Sequence, residues 1–330
     1  MTEQQRFSPA GPGHRDRSFG LAVFGVIEIL LGILGLLLVP ATLVAAAATR
    51  SLGGDGAAPE WRTVGPALVV YALLGVALIW LGVGSMRARR WARALLLALS
   101  WLWLITGALA LLVSWWLLPA VWMSVAGLGD WPRGAMLLVE IGTALLLSVV
   151  YVALPAAFVL FYRSEGVKAT CRVRDPGPSV IADCPPQLLA LAVAFALGGL
   201  SVLLMPAYGF LLPLFGLVLD GAAGAAGWAG ILLLLLWLTW RTLLGDRRAW
   251  WTAVVATVLA GASSTVTVLV VPASDLLAEM RLDPRELQLL VGMGTPSAAT
   301  LGLLNALGWA TLLAYLLYAW RWFDDRRTTG

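Results

Sequence analysis

A carboxylate inside a greasy run is the first place where chemistry could sit. Glu28 lies in GVIEILLGILG, where Gly25, Glu28, Gly32 and Gly35 follow one another at spacings of three, four and three. At 3.6 residues per turn these four positions share one helical face. Small residues on that face let a neighbouring backbone come close. An ionised acid facing lipid is costly, so Glu28 is expected to face the inside of a helix bundle, about 14 Å along its helix. Apart from Arg241, near the far end of the run 228–244, no Lys, Arg or His falls inside an apolar run to pair with it. The expected state is a neutral carboxyl donating to a neighbour, with Tyr71, Trp103 and Thr106 as candidates by depth.

Glu140 is a second acid in an apolar setting, and Thr143 and Tyr151 continue its stripe at helical spacing. Asn305, Gly308 and Tyr315 form a comparable stripe near the C-terminus, and Ser263, Ser264, Thr265 and Thr267 add hydroxyls. One reading is a polar interior path with Glu28 and Glu140 as titratable stations. The plainer one is interhelical hydrogen bonding, at about 0.6 kcal/mol per contact.

Other chemistry is thinly supplied. Cys171 and Cys184 share one connecting loop without a histidine nearby, which does not make a four-ligand zinc site. They are expected to be ordinary thiols in a reducing compartment. His14, the only histidine, falls in a polar N-terminal tail. No phosphate-cradling loop, nucleophile elbow or His-Glu metal pair occurs, so no catalytic residue, metal or cofactor is expected. Arg163, Lys168, Arg172 and Arg174 offer charge for anionic lipid headgroups, or simply anchor the chain. Many of the 17 tryptophans fall at the ends of apolar runs, as an interfacial belt requires. Trp101, Trp103, Trp115 and Trp116 are placed to line a cavity.

The elements that must position these residues follow from composition. The 330 residues are 60% hydrophobic and 12% charged, with mean hydropathy +0.88. So few charges cannot cover a water-soluble particle of this size. The arginines stand in short clusters between apolar runs, which argues against a nucleic-acid partner. Eight runs approach the roughly 20 residues that a membrane helix needs: 19–48, 65–86, 94–118, 134–162, 187–219, 228–244, 250–272 and 298–320. With residues 1–18 inside, 17 of the 22 basic residues fall on the cytosolic side. The first run is too long for a signal peptide and is expected to be retained.

The expected fold is therefore all-α: a polytopic bundle of about eight transmembrane helices with both termini cytosolic, in a bacterial inner membrane. Several echoes point to a 4+4 parallel internal repeat of 19–162 and 187–322. Leu38-Val39-Pro40 resembles Leu204-Met205-Pro206, which aligns Gly32 with Gly198 and extends the small-residue seam to Ala194, Gly198 and Ser201. Arg89-Arg90-Trp91 resembles Arg247-Arg248-Ala249-Trp250, and Leu118-Pro119-Ala120 resembles Val271-Pro272-Ala273. Chance likeness among Leu-rich helices is the alternative. Residues 163–186 hold four prolines and read as an irregular cytosolic loop. Residues 274–291 read as an amphipathic outer-face helix, and 323–330 as a cytosolic tail.

Two functions from different classes fit these features, while a third, a membrane-embedded enzyme acting on lipid, lacks a nucleophile or metal set. The first is a small-solute transporter or permease, proton-linked through Glu28 and Glu140. The alternative is a non-catalytic accessory or scaffold subunit whose Gly and Trp surfaces dock other membrane subunits.

Overall fold

The computed structural model describes residues 16–52, 61–126, 133–272, 275 and 298–323. Long runs of Leu, Ala and Val with few breakers give mostly helix: α1 Ser18–Leu52, α2 Trp61–Met86, α3 Arg90–Ala126 and α4 Arg133–Ser148. A π turn, Val149–Ala153, carries α4 into α5, Leu154–Tyr162. Then come α6 Glu165–Arg174, α7 Pro186–Val202, α8 Gly221–Leu243, α9 Arg247–Val270 and α10 Ala298–Ala319. Among the described residues seven helices, with α4 and α5 as one, are long and apolar enough to cross a membrane.

The fifth expected span, 187–219, is not one helix. α7 has 17 residues, about 25 Å of rise, and stops at Val202. A 3-10 turn, Met205–Tyr208, and an antiparallel hairpin of β1 Leu212–Leu214 and β2 Leu217–Leu219 follow. Pro206 lacks the N–H that would extend the helix, and Gly209 sits at φ 71°. Phe215 and Gly216, both at positive φ, make the two-residue turn. The fold is thus helical with one short β ribbon rather than purely all-α.

Non-helical backbone in an apolar setting needs local partners. Ser263 Oγ accepts from Phe215 N at 3.0 Å and donates to Pro213 O at 3.0 Å. Thr267 Oγ1 accepts from Gly216 N at 2.9 Å. Ser263 lies 16 residues into α9, so the hairpin sits about 24 Å from the start of that helix. The chain therefore travels the length of the bundle and back through α7 and α8, although α7 alone is short.

The helices pack as antiparallel neighbours: α1 on α2, α3 on α5, α7 on α8 and α9 on α10. One core gathers Leu21, Leu81, Ala88, Leu96, Phe158, Tyr162 and Cys171. The other gathers Cys184, Leu188, Leu191, Leu238, Trp250 and Leu316, and α3 reaches it through Ala98. α3 against α7 joins the halves.

The glycine face of α1 packs on α2. A methyl on Gly25 would lie 2.7 Å from Gly82 O, and one on Gly32 2.7 Å from Gly75 O. Gly35 keeps the looser contact, 3.7 Å from Gly75 Cα. The expected counterpart on α7 behaves differently. Gly198 meets only the Leu235 side chain, at 3.6 Å, Ser201 bonds its own helix at Gly198 O, and Ala194 is half-buried. Gly199 is the buried glycine there, with Leu232 at 3.5 Å.

The turns into α3 and α9 share a hydrogen-bond pattern. Arg89 N donates to Gly84 O and Ala88 N to Ser85 O, while Asp246 N donates to Arg241 O and Gly245 N to Thr242 O. Ala88 and Gly245 take the left-handed position, at φ 52° and 68°. Stepping 157 residues, from Ala88 to Gly245, carries buried Leu81, Ser85, Ala92, Leu96 and Ser100 onto buried Leu238, Thr242, Ala249, Ala253 and Thr257. Stepping 167 residues carries buried Leu21, Gly25, Glu28 and Gly32 onto buried Leu188, Ala192, Phe195 and Gly199.

Residues 163–186 are not an irregular loop throughout. All four prolines lie after Arg174, which leaves Glu165–Arg174 free to form α6. The segment docks on the bundle: Asp175 accepts from Arg90 N at 3.0 Å and pairs with Arg89 at 3.2 Å, and Asp183 pairs with Arg90. Arg17 N donates to Thr170 Oγ1 at 3.2 Å, and Arg174 pairs with Asp16 at 3.7 Å. The basic residues flanking α1, α2, α3, α5 and α6 thereby gather at one end. The amphipathic helix expected at 274–291 lies outside the described residues, apart from Asp275, as do 1–15 and 324–330.

Candidate functional site

Glu28 is 1% exposed, and its carboxyl meets Tyr162 of α5, which in turn meets Ser85 of α2. Tyr162 Oη donates to Glu28 Oε1 at 2.8 Å when the acid is ionised. Ser85 Oγ lies 2.7 Å from Tyr162 Oη and 3.2 Å from Leu21 O, to which it donates. A neutral acid would reverse the first step. Its hydroxyl would donate to Tyr162, Tyr162 to Ser85, and Ser85 to the Leu21 carbonyl, so each donor would find an acceptor. In both states Glu28 Oε2 has no partner among the described residues.

Apolar rings close the surroundings. Phe24 stacks on Phe161 at 4.1 Å and meets Phe158 edge-on at 5.1 Å, next to Tyr162. The tight α1–α2 approach allowed by Gly25 and Gly82 brings Ser85, one turn further along α2, within reach of α1. Tyr162 is fixed from outside as well: its carbonyl accepts from Arg93 Nε at 3.1 Å.

The expected partners of Glu28 do not reach it. Tyr71 is 39% exposed, Thr106 Oγ1 bonds its own helix at Leu102 O, and Trp103 lies against Phe158. The depth expectation also shifts. Ser85 and Tyr162 occupy the last turns of α2 and α5, so Glu28 lies level with the basic end of those helices. α1 starts two to three turns earlier than they end, because its first residues dock against α6 instead of lying in a free tail. Tyr162 and Ser85 are the site residues that sequence reasoning missed. Each is a polar residue at the edge of an apolar run, where hydroxyls ordinarily meet the interface.

The other expected site residues stand apart. Glu140 is half-buried and lies 22 residues before Tyr162 on the α4–α5 span, about 33 Å away along the axis. Thr143 is half-buried and Tyr151 is exposed; no hydrogen bond joins either of them to Glu28. The Tyr151 carbonyl instead abuts Gly107, where the π turn ahead of Pro155 pushes it towards α3. Asn305 Nδ2 donates to Ser264 Oγ at 2.9 Å and Thr265 Oγ1 at 3.1 Å, which fastens α10 to α9. Tyr315 donates to Gln187 O at 3.0 Å. The hydroxyl stripe of α9 therefore holds a hairpin and a neighbouring helix, and among the described residues no hydrogen-bonded chain links Glu28 to Glu140.

Cys171 and Cys184 form no disulfide and are both buried, one in each core. Burial pushes the Cys171 thiol up to about 11, against the opposing pull of the nearby Arg93 guanidinium. Trp101 is 42% exposed, so it does not line an interior cavity; the side chains of Trp115 and Trp116 lie outside the described residues. Trp250, Trp251 and Trp320 cluster at the basic end with Arg247 stacked 4.2 Å from the Trp320 ring, as a belt would have them.

Comparison with known families, curated proteins and solved structures finds no match to this chain.

Proposed function

We propose that this is a multi-pass protein of the bacterial inner membrane, built from two parallel four-helix repeats with both ends in the cytosol. We further propose that it acts without catalysis, as an accessory or scaffold subunit for another membrane protein. The shared turn geometry at Ala88 and Gly245 and the two matching burial patterns support the repeat. An alignment on burial would set Gly32 opposite Gly199 instead of Gly198, and their neighbours Gly75 and Leu232 then correspond in the register of the α3 and α9 turns.

The observation that carries the scaffold reading is the filled contact between the halves. Ala98 of α3 shares one apolar core with Leu188, Leu191 and Phe195 of α7, where a solute path between repeats would have to run. Meanwhile α8 leaves Gly230, Leu233, Trp237 and Trp240, spaced three, four and three, exposed among the described residues. A helix face of this kind, small at one end and aromatic at the other, suits a second transmembrane surface. Copurification from native membranes tests this reading. A partner in constant stoichiometry, lost in W237L/W240L, is the expected result; a chain recovered alone would overturn it.

The transport reading keeps one specific support, the enclosed Glu28–Tyr162–Ser85 chain, because an acid in an apolar bundle is costly to retain. Its test is proton-coupled uptake into vesicles by the parent and by Glu28→Gln. Equal uptake removes Glu28 from any such mechanism.

A further inference from the structure

A cavity of about 70 Å3 opens at the basic end, between α3 and the connecting segment. Arg90, Arg93, Lys168, Cys171, Arg172 and Ala182 line it, so four of the six lining residues are cationic and none is acidic. Neighbouring acids neutralise only part of that charge. Asp183 pairs with Arg90, Glu165 with Lys168 at 3.4 Å, and Asp175 with Arg89 and the Arg90 backbone. Arg93 and Arg172 have no carboxylate within ion-pair distance among the described residues. The buried Cys171 thiol adds no negative charge at neutral pH.

The geometry favours a small tetrahedral anion. Arg93 donates Nε to the Tyr162 carbonyl at 3.1 Å, which fixes the guanidinium plane and leaves its two terminal nitrogens with donors to offer. A planar fork of that kind matches phosphate oxygens two at a time. The volume holds a few waters or one such anion, and is well below the roughly 300–1,000 Å3 of pockets for larger ligands. Lys168 and Arg172 stand four residues apart on α6, so they share the helix face that the cavity borders.

We propose that this cavity binds the phosphate group of an anionic ligand at the membrane surface, with Arg93 and Arg172 as the principal contacts and Lys168 and Arg90 completing the cradle. The same chemistry serves the phosphodiester of an anionic lipid or free inorganic phosphate. This proposal does not depend on the scaffold reading.

Two assays on the full chain in detergent distinguish the sources. In the first, delipidated protein is equilibrated with phosphatidylglycerol or phosphatidylcholine vesicles, and retained lipid is counted by native mass spectrometry. In the second, inorganic phosphate is titrated at constant ionic strength and thermal protection is followed. Each cation removed should weaken binding about fivefold, the value expected for a basic residue beside anionic lipid. R172Q and K168Q/R172Q should therefore lose affinity in steps. R174Q, on the same helix but paired with Asp16 and outside the cavity, should retain the parent's affinity. Selective retention of phosphatidylglycerol that falls in this order identifies a lipid headgroup; phosphate protection that falls in this order identifies the free anion. Equal losses in R174Q and R172Q would mean general surface attraction and overturn the proposal. Binding of neither probe would overturn it too.

Discussion

At the residue scale, the physical question is what a buried acid costs when the partner its carboxyl shows is a single phenol hydroxyl. Tyr162 is the hinge of the arrangement, since its phenol touches both Glu28 and Ser85. Tyr162→Phe keeps the ring packing but removes the one partner that Glu28 Oε1 has among the described residues. Stranding a buried polar group in this way costs about 1–3 kcal/mol. In a Glu28→Leu background the same change should cost less by about 0.6 kcal/mol or more, because the group it strands is already gone. Thermal unfolding in detergent of the four proteins in this cycle measures the difference. Additive losses would mean that the Tyr162–Glu28 contact contributes nothing. The counterpart positions make a sharper comparison. In the proposed repeat Thr242 corresponds to Ser85 and Phe195 to Glu28, and Thr242 Oγ1 has no partner among the described residues. Thr242→Val should therefore be neutral or stabilising, whereas Ser85→Ala should destabilise by about 1 kcal/mol. Equal effects would deny the asymmetry between the two halves.

At the element scale, backbone proximity decides which glycines matter. On α1 the neighbour of Gly32 is a carbonyl of α2, and backbone cannot swing aside as a side chain can. Gly32→Ala must push α1 and α2 apart, and strain of this kind costs about 1–3 kcal/mol. On α7, Gly198 meets a leucine at ordinary contact distance, so Gly198→Ala fits without movement and improves helix propensity. The two substitutions should change the thermal midpoint in opposite directions; a loss in both would mean that the α7 seam packs as tightly as the α1 seam. The α1 seam was legible because glycines at three and four spacing force one face. The α7 seam was not, because small residues alone do not say whether backbone or side chain lies opposite. The hairpin was hidden for a related reason. LLPLFGLVL is as apolar as a membrane helix, and its separation from one depends on Pro206, Gly209 and the positive φ of Phe215 and Gly216. Its hydrogen-bond partners, Ser263 and Thr267, lie about 50 residues away along the chain, out of reach of local pattern.

At the scale of the whole molecule, composition was enough to announce a helical membrane-type bundle, and the arginine clusters foreshadowed one basic end. What pattern could not announce was how the halves are tied. A proline-rich stretch reads as slack, yet residues 163–186 pass one buried cysteine into each core and pair with α3 on the way. If that segment is a structural strap, its thiols should behave as core groups. Cys171 makes this testable through pH. The unfolded chain releases the thiol proton near its ordinary value of 9.0, while the folded chain keeps it up to about 11. Between those values the folded state binds more protons than the unfolded one, so stability falls as pH rises through the window and is fully present below it. Other groups titrate there as well, and the comparison that isolates Cys171 is the slope of the unfolding midpoint against pH in the parent and in Cys171→Ala. The variant should be less stable at pH 8, because a buried group is lost from the core, and should lose less on going to pH 11. Parallel slopes would mean that the thiol is already open to solvent, and the strap with it.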